Sequence, residues 1–430
     1  MTTAARVVLW GSEIGTVYLP ENAAYASFEY DKSFLPSGIQ VSPVVMPLTS
    51  QIYSFPALPI DTFHGLPGLL SDSLPDRFGN AVINSWLARQ GRSPDSFSAI
   101  ERLCYTGRRG MGALEYYPAT GPQAEKDEPL DIAALSELAS EILSSRESVH
   151  IDSGNGDLAQ ILQIGTSAGG ARAKAVIAWN EKTGDVRSGQ INAGPGYGYW
   201  LIKFDGVRNN GDRDIKDPPT YTRVEYAYSL MAKAAGITMS DCRLYKENEA
   251  FHFITRRFDR DAVSGKKIHM QTLGALAHFD FNSPGAYSYE QAASVCRQMN
   301  LGSRDLEQLF RRAVFNDFAR NFDDHVKNIS FLMDRNGRWS LSPAYDITYA
   351  FKPGNRWLGN HQMSINGRRN TIARNDLVNC ALSMDISAGK AENIMEDIRA
   401  ALRRWPEFAE AAELPETVYE RIFAELALSF

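Results

Sequence analysis

The chain has 430 residues, of which 44% are hydrophobic and 22% are charged, and its formal net charge is -6 at pH 7. This length exceeds what one hydrophobic core normally supports, so we expect two or three lobes. The mildly acidic balance gives no sign of a general nucleic-acid-binding surface. The cysteines lack the paired spacing of a zinc knuckle and favour reduced thiols. With no apolar leader and no membrane-length segment, the sequence predicts a cytoplasmic protein without membrane contact.

The first 119 residues predict an α+β domain. Short runs of strand-forming residues are separated by Gly, Pro, Asn and Asp, and strands are expected over 6–10, 15–19, 26–30 and 39–48. The remaining elements expected here are helices over 81–90 and 97–104 and a returning strand over 112–117. A polar run with glycine and proline, 120–130, predicts a linker to the next domain.

A second domain is predicted over 131–258. Its expected elements are helices over 132–144 and 224–236 and strands over 175–179, 198–205, 242–246 and 249–257. A glycine-rich turn, Gly165–Gly170, precedes the first strand but lacks the Lys-Ser/Thr of a P-loop and the GxGxxG of a dinucleotide turn. The turn is either a plain hairpin or a loop whose backbone approaches phosphates, as kinase glycine loops do.

Lys203 lies in an apolar strand shortly after this turn. Kinases place the lysine that pairs with the ATP phosphates at such a position, although lysines also protect exposed edge strands. Glu225, near the start of the next predicted helix, either pairs with Lys203 as a kinase helix glutamate does or complements the helix dipole. The sequence becomes mainly helical after Arg260, which predicts a boundary between lobes near this position.

The last domain, 259–430, is expected to be rich in helices, which are predicted over 288–299, 306–322, 390–404 and 416–428. Asp323, His325 and Asn328 lie in one short polar run, followed by an apolar strand pair and then Asp346. Kinase-type phosphotransfer sites have this order: the first Asp orients or deprotonates the attacking hydroxyl, and the Asn and second Asp hold Mg²⁺. Oxygen ligands of this kind suit Mg²⁺.

Two other interpretations of the polar run stay open at this point. Asp, Asn and His are common in ordinary loops because their side chains bond the local backbone. Alternatively, Asp323, Asp324 and His325 are ligands of a metal hydrolase, although the sequence supplies no second His cluster.

Taken in order, these motifs resemble those of the HipA family of bacterial toxin kinases, which are serine/threonine kinases of type II toxin–antitoxin modules. The likeness extends over nearly the whole chain, and the segments that carry it are 66–80, 166–174, Lys203, 257–260, 323–328 and 343–347. It implies a two-lobed, kinase-like α+β fold similar to that of lipid kinases. The N-terminal subdomain would be rich in strands and the C-terminal lobe would be helical.

The resemblance also implies roles for individual residues. Asp323 would be the catalytic aspartate, with His325 beside the phosphates, and Asn328 and Asp346 would hold Mg²⁺. The residues implied to contact ATP are Lys203, Ser167, Gly169, Gly170, His325, Arg256, Phe258, Asp259 near the ribose, and Gln271. Ser167, or its neighbour Thr166, matches a serine that the family autophosphorylates to silence the enzyme. A phosphate there would add negative charge to a loop that must hold the anionic phosphates of ATP.

Substrate and partners follow from the same resemblance. The family phosphorylates aminoacyl-tRNA synthetases, typically the glutamyl enzyme, and pairs with a small HipB-like helix-turn-helix antitoxin. DNA contact would then be indirect, through the antitoxin. The alternatives are a catalytically weak scaffold that acts as a corepressor with its antitoxin, and a kinase for a small molecule. The presence of Asp323, Asn328, Asp346 and Lys203 together favours an enzyme.

Overall fold

The computed structural model describes residues 3–121, 129–144, 172–190, 192–207 and 220–428. The chain forms two compact units. Unit 1 consists of Met1–Gln40, Leu48–Thr222 and Arg243–Met270, and unit 2 consists of Val41–Pro47, Arg223–Cys242 and Gln271–Phe430. Within the described ranges, no helix combines the length and the apolar character that crossing a membrane requires.

An antiparallel sheet opens unit 1. Its strands are β1 (Ala4–Leu9), β2 (Ser12–Tyr18), β3 (Ser27–Tyr30), β4 (Ile52–Tyr53) and β5 (Leu114–Tyr117), in the order β4-β3-β2-β1-β5. The strand predicted over 39–48 is wrong, because only an isolated bridge between Ser42 and Met46 forms there. Pro43 lies between the two bridged residues and Pro47 follows them, and proline cannot donate to a strand ladder.

Helices lie between β4 and β5 in the chain and continue after β5. They are α1 (Ile60–Phe63), α2 (Gly68–Ser71), α3 (Arg77–Arg89), α4 (Ala99–Thr106) and α5 (Ile132–Ser144). The helix predicted over 132–144 is confirmed at both ends. A capping box starts α4, in which Ser98 Oγ accepts from Glu101 N–H and Glu101 accepts from Ser98 N–H. Such reciprocal bonds satisfy two donors that the helix itself cannot.

A second sheet of unit 1 carries Lys203. Its strands are β6 (Lys174–Trp179), β7 (Val186–Ser188), β8 (Gly198–Lys203), β9 (Cys242–Glu247) and β10 (Ala250–Arg256), in the order β7-β6-β8-β10-β9. Side chains of β6 and β8, such as Ile177 and Ile202, share one buried cluster with Val82 of α3 and Leu135 of α5. The predicted strands over 175–179, 198–205, 242–246 and 249–257 are confirmed in existence, with ends shifted by a few residues.

Unit 2 contains small sheets and a helical core. Its strands are β11 (His269–Thr272, which begins at the end of unit 1), β12 (Tyr287–Ser288), β13 (Ser330–Met333), β14 (Trp339–Leu341) and β15 (Met363–Ser364). The helices lying wholly or mostly in unit 2 are α6 (Tyr221–Ala234), α7 (Leu273–Ala277), α8 (Tyr289–Gln298), α9 (Ser303–Phe318), α10 (Arg374–Ser383), α11 (Ala388–Arg403), α12 (Trp405–Ala411) and α13 (Glu416–Glu425).

The last ten residues of α9, from Leu309 to Phe318, are all buried. The apolar side chains among them belong to the main hydrophobic cluster of unit 2. The prediction of a helix over 306–322 is wrong at its C-terminal end, since α9 stops at Phe318. Arg320 takes a left-handed backbone with φ of 57°, which no α-helix accommodates. Residues 321–324 therefore leave the helix as a loop, and the predicted strand pair after it is confirmed as β13 and β14.

One buried ion pair joins two elements of unit 1. Lys174 Nζ lies 2.8 Å from Asp76 Oδ2, and the side chains are only 2% and 5% exposed. The other oxygen of Asp76 accepts from Gly79 N–H at 2.7 Å and so caps the start of α3. A single carboxylate therefore fixes the first turn of α3 to the first residue of β6.

Replacing Asp76 by Ala should lower the free energy of unfolding of unit 1 by about 3 to 5 kcal/mol, because Lys174 would lose its buried counter-charge. Urea denaturation followed by tryptophan fluorescence measures this change. Glu181→Ala is the matched control, since it removes the partner of Arg243 in a pair whose side chains are 43% and 45% exposed and which is worth roughly 1 kcal/mol or less. Equal losses in the two variants would contradict the prediction.

Candidate active site

The polar run begins where α9 ends. Asn321 N–H donates to the carbonyl of Asn316 in the last turns of the helix, at 2.9 Å, and Phe322 N–H donates to Ala350 O at 3.0 Å. Ala350 N–H in turn donates to Arg320 O at 3.0 Å. The backbone on the N-terminal side of Asp323 is therefore fixed to a helix end and to a second segment of unit 2.

Asn328 closes this loop on itself. Its Nδ2 donates to the main-chain oxygen of Asp323 at 2.7 Å, and its N–H donates to His325 O at 2.8 Å. With the amide nitrogen engaged in this way, Oδ1 is the side-chain atom suited to a cation. The Asp323 side chain is 47% exposed, and its Oδ1 lies 4.0 Å from His325 Nε2. The loop thus presents a solvent-reachable carboxylate beside an imidazole.

Asp346 sits on a constrained segment. It has a left-handed backbone with φ of 52°, which side chains other than glycine adopt at a cost and which concentrates at functional sites. Ala344 N–H donates to Thr238 O at 2.8 Å, and the Tyr345 hydroxyl donates to Lys327 O at 2.6 Å. These bonds fix the residues immediately before Asp346 and tie them to the polar loop.

The structure brings His325, Asn328 and Asp346 to the lining of one small cleft in unit 2. An amide oxygen and a carboxylate are ligands that Mg²⁺ accepts, and this ion usually takes only one or two carboxylates and completes its shell with water and phosphate. Among the described parts of the chain, no group of three or more His, Cys, Asp or Glu is arranged to hold a metal. A donor set of this size suits a cation that takes most of its ligands from water or a bound anion.

Asp324 also borders this cleft, but its carboxylate is engaged by groups of the interior. Its carboxylate accepts from Gln362 N–H at 2.7 Å, from the Tyr289 hydroxyl at 2.9 Å and from His361 Nδ1 at 2.8 Å, and the side chain is 1% exposed. With three hydrogen bonds accepted inside unit 2, this carboxylate acts as a structural acceptor rather than as a ligand of a metal shared with Asp323. The metal-hydrolase interpretation, which needed both Asp323 and Asp324 as ligands, does not fit this geometry.

His361 was not singled out by any pattern in the sequence. Its ring is fully buried between two carboxylates, with Nδ1 at 2.8 Å from Asp324 and Nε2 at 3.3 Å from Asp317. Burial by itself would lower the pKa of His361, but the charges and hydrogen bonds of Asp324 and Asp317 outweigh it and raise the pKa to about 9. His361 is therefore an imidazolium at neutral pH. Its partners are distant in the chain, so no local spacing could have revealed it.

The nucleotide-contacting residues predicted in unit 1 divide into two kinds. Lys203 ends β8 directly opposite Lys174 of β6, is buried, and has its Nζ 5.8 Å from the ring centre of Phe253. Arg256 ends β10, and Phe258 follows it at the predicted lobe boundary. The contacts with ATP predicted for Lys203, Arg256 and Phe258 stay predictions.

Asp259 has a different environment. Its carboxylate is completely buried and accepts from Arg257 Nε at 2.9 Å, from Arg260 Nη1 at 2.7 Å and from Gly112 N–H at 2.7 Å. Burial would raise the pKa of Asp259, but the two guanidinium groups hold it well below its usual range. Because the carboxylate is occupied inside unit 1, the expected contact of Asp259 with a ribose is not available in this geometry.

Gln271 is likewise in the interior. It is 1% exposed, and its Nε2 donates to the carbonyl of Val41 within unit 2. A buried amide committed to the backbone is not placed to read a nucleotide, so this prediction is also revised. Glu225 lies near the start of α6 and is buried. Thr166, Ser167, Gly169 and Gly170 lie outside the described residues.

Comparison with known proteins adds to this geometry. The family model described as the HipA-like C-terminal domain matches residues 166–405, and that of the HipA N-terminal domain matches residues 5–117. A protein of Haemophilus influenzae, named as a candidate kinase, is 29% identical over 161 residues, which are 34% of this chain and 47% of the relative. The chain thus matches about half the length of that curated relative.

The chain is also similar to solved structures. The HipA chain of Shewanella oneidensis MR-1, solved with HipB and operator DNA, has a TM-score of 0.68 and 17% identity, covering 98% of this chain and 96% of its own. The proinflammatory kinase CtkA of Helicobacter pylori covers 53% of this chain and 88% of its own, with a TM-score of 0.33 and 11% identity. The Shewanella likeness concerns the fold, and the predicted kinase-like α+β fold is confirmed.

The stability of unit 2 should depend on the charge of His361. Its pKa is raised on folding from 6.5 to about 9, so the stabilisation is complete below pH 6.5 and is lost as the pH rises through 9. With each pKa unit corresponding to about 1.4 kcal/mol, the loss should reach about 3 kcal/mol. Unfolding measured from pH 6 to pH 10 in the wild type and in His361→Gln tests this expectation. An identical pH dependence in the two proteins would contradict it.

Proposed function

The chain belongs to the HipA family, and from this premise we propose that it is an ATP-dependent serine/threonine protein kinase of a toxin–antitoxin module. One observation carries the proposal. A half-exposed Asp323 stands in a loop that Asn328 closes, and Asn328 lines the same cleft as Asp346. A carboxylate that can take a proton, beside two oxygen donors for a divalent cation, is the arrangement that phosphoryl transfer needs.

Asp323 has the role of catalytic base in this proposal. The oxygen of a serine or threonine hydroxyl attacks the terminal phosphorus of ATP, the bond from that phosphorus to the ADP oxygen breaks, and Asp323 accepts the hydroxyl proton. Its exposure makes the carboxylate reachable by a protein hydroxyl, and its fixed backbone keeps the position constant. His325 lies next to this carboxylate and is assigned to the phosphates.

Asn328, through Oδ1, and Asp346 are the proposed holders of Mg²⁺. When bound, the ion would offset the negative charge of the phosphates and favour release of ADP. The fit rests on the chain itself: the Asn328 amide nitrogen is engaged by Asp323, and Asp346 is kept in an unfavourable backbone conformation. A strained residue at the lining of a cleft is the kind of position that function maintains.

ATP is the proposed phosphoryl donor, and the residues assigned to it are Lys203, Arg256, Phe258 and the glycine-rich turn with Gly169 and Gly170. Asp259 and Gln271 are left out as direct ligands because both are buried and bonded inside their units. Asp259 instead secures the backbone just after β10, next to Arg256 and Phe258. Its effect on nucleotide binding would be indirect.

The proposed protein partners follow from the family. A HipB-like helix-turn-helix antitoxin is supported by the Shewanella HipA, which was solved with HipB and operator DNA. DNA contact would be made through that antitoxin. The proposed substrate is an aminoacyl-tRNA synthetase, with the glutamyl enzyme first, and the free cysteines of the described chain fit a cytoplasmic location. The same Shewanella complex supports the second candidate, a catalytically weak corepressor.

Incubation with ATP and Mg²⁺ should phosphorylate the wild-type protein on Ser167 or Thr166. Asp323→Ala should reduce the rate about 10²- to 10⁴-fold, because the general base is lost. Intact mass and phosphopeptide mapping measure both results. Glu410→Ala, which removes an exposed carboxylate on α12 of the same unit, should behave as the wild type. Absence of transfer in every protein, without ATP binding, would favour the corepressor instead.

Asp346→Asn should raise the Mg²⁺ concentration needed for half-maximal transfer at least about tenfold, since a charged ligand becomes neutral. Asparagine tolerates the left-handed backbone, so the fold should persist. Asp385→Asn is the matched control, because Asp385 also has a left-handed backbone, with φ of 61°, and is exposed in the same unit. A Mg²⁺ requirement that is the same in both variants would remove Asp346 from the site.

A further inference from the structure

We propose that His361 is the positioning residue of the polar loop, and that by bridging Asp324 to Asp317 it sets where the Asp323 carboxylate stands. This inference rests on the proposed function, in that it takes Asp323 as the catalytic carboxylate. It concerns a side chain that is not part of the cleft lining and reaches that lining through Asp324.

The bridge spans two elements. Asp317 lies in the last turn of α9, whereas Asp324 follows Asp323 in the loop. The imidazole of His361 stands between them, with Nδ1 at 2.8 Å from Asp324 Oδ2 and Nε2 at 3.3 Å from Asp317 Oδ1. One ring thus links the loop to the end of the helix.

The bridge is part of a longer buried network. Tyr289, at the start of α8, donates its hydroxyl proton to Asp324 at 2.9 Å and accepts from Asn316 Nδ2 at 2.9 Å. The side-chain oxygen of Asn316 accepts from Asn321 Nδ2 at 2.9 Å. Gln362 N–H donates to the second oxygen of Asp324 at 2.7 Å. The network therefore reaches the loop on both sides of Asp323.

His361 is itself held firmly. Its N–H donates to Arg369 O at 2.9 Å, and Arg369 Nε donates to His361 O at 2.7 Å. The imidazole packs against the ring of Phe322, with the two centres 4.1 Å apart. Phe322 and Asp324 are the two chain neighbours of Asp323, and both contact His361. The interior thus holds the residues before and after Asp323 and leaves Asp323 as the exposed one.

The charge of His361 is part of the argument. A neutral imidazole donates through one nitrogen only, whereas both nitrogens here face a carboxylate. The titratable and charged groups that face the ring are Asp317 from α9 and Asp324 from the loop, with the Tyr289 hydroxyl behind Asp324. Without the imidazolium, two buried carboxylates would share one region, and like charges in such a place repel strongly.

The test compares the wild type with His361→Gln, Asp317→Asn and the control Arg297→Gln. The control breaks the exposed pair of Arg297 with Asp385 in the same unit. Hydrogen–deuterium exchange of peptides covering 320–328 is expected to be severalfold faster in His361→Gln, and less affected in Asp317→Asn, which alters the longer contact. In His361→Gln, peptides of α11 should be affected much less than those covering 320–328, and the control variant should exchange as the wild type.

Self-phosphorylation gives the second readout. In His361→Gln the rate at saturating ATP should fall by on the order of 10²-fold, the effect of a misplacement near 1 Å. The ATP concentration for half-maximal rate should stay within about twofold, because the residue contacts no nucleotide-binding group. A general loss of stability would instead raise exchange equally throughout unit 2. It would lower the amount of active protein without a specific change over 320–328.

The outcomes test the proposed role of His361 separately from the proposed kinase function. Unchanged exchange over 320–328 in both variants, or equally faster exchange across all of unit 2, would overturn the positioning role of His361. If the wild type transfers no phosphate, the proposed kinase function fails, while the exchange data still decide whether His361 holds the loop. If His361→Gln does not fold, Asp317→Asn supplies the same comparison with a smaller expected effect.

Discussion

The buried carboxylate of Asp324 organises the whole candidate site of unit 2. Its oxygens accept from the Tyr289 hydroxyl and from two neighbours, the His361 ring and the Gln362 N–H, so two segments that are far apart in the chain meet the polar loop around it. A buried charge persists only where partners compensate it, so this carboxylate requires the imidazolium and fixes it in turn. The half-exposed Asp323 next to it takes its position from a neighbour that solvent does not reach.

Unit 1 also contains buried carboxylates that are compensated by partners, and there they hold the backbone in place. Asp259 between Arg257 and Arg260, and Asp76 against Lys174, are buried charges that connect loops and helices to strands. Neither carboxylate is exposed to a ligand. Their value is that each fixes a backbone segment, the end of β10 in one case and the start of α3 in the other. Carboxylates near a motif therefore include both chemical groups and structural supports, and burial distinguishes the two.

Local patterns predicted most elements of the fold. The helix over 132–144 and the strands around Lys203 follow from apolar periodicity, which is a property of neighbouring residues. The predictions were wrong where an apolar pattern continued past a residue that ends a strand or a helix. Prolines at 43 and 47 ended a β-like run, and the left-handed backbone at Arg320 ended α9 before the polar loop. The helices α10 and α12, between the predicted ones, were missed because their apolar spacing is short and irregular.

The sequence by itself determined the order of chemical groups, namely Asp323, His325, Asn328 and then Asp346 after a strand pair, together with the family that this order resembles. The sequence alone, however, does not distinguish the environments of two adjacent residues of the same type, such as Asp323 and Asp324. Only the tertiary structure decided that Asp323 is exposed while Asp324 is buried, that Asp259 and Gln271 are occupied internally, and that His361 belongs to the site. The reason is physical: burial and the pKa of a group depend on which distant segments pack around it, and chain spacing does not encode that.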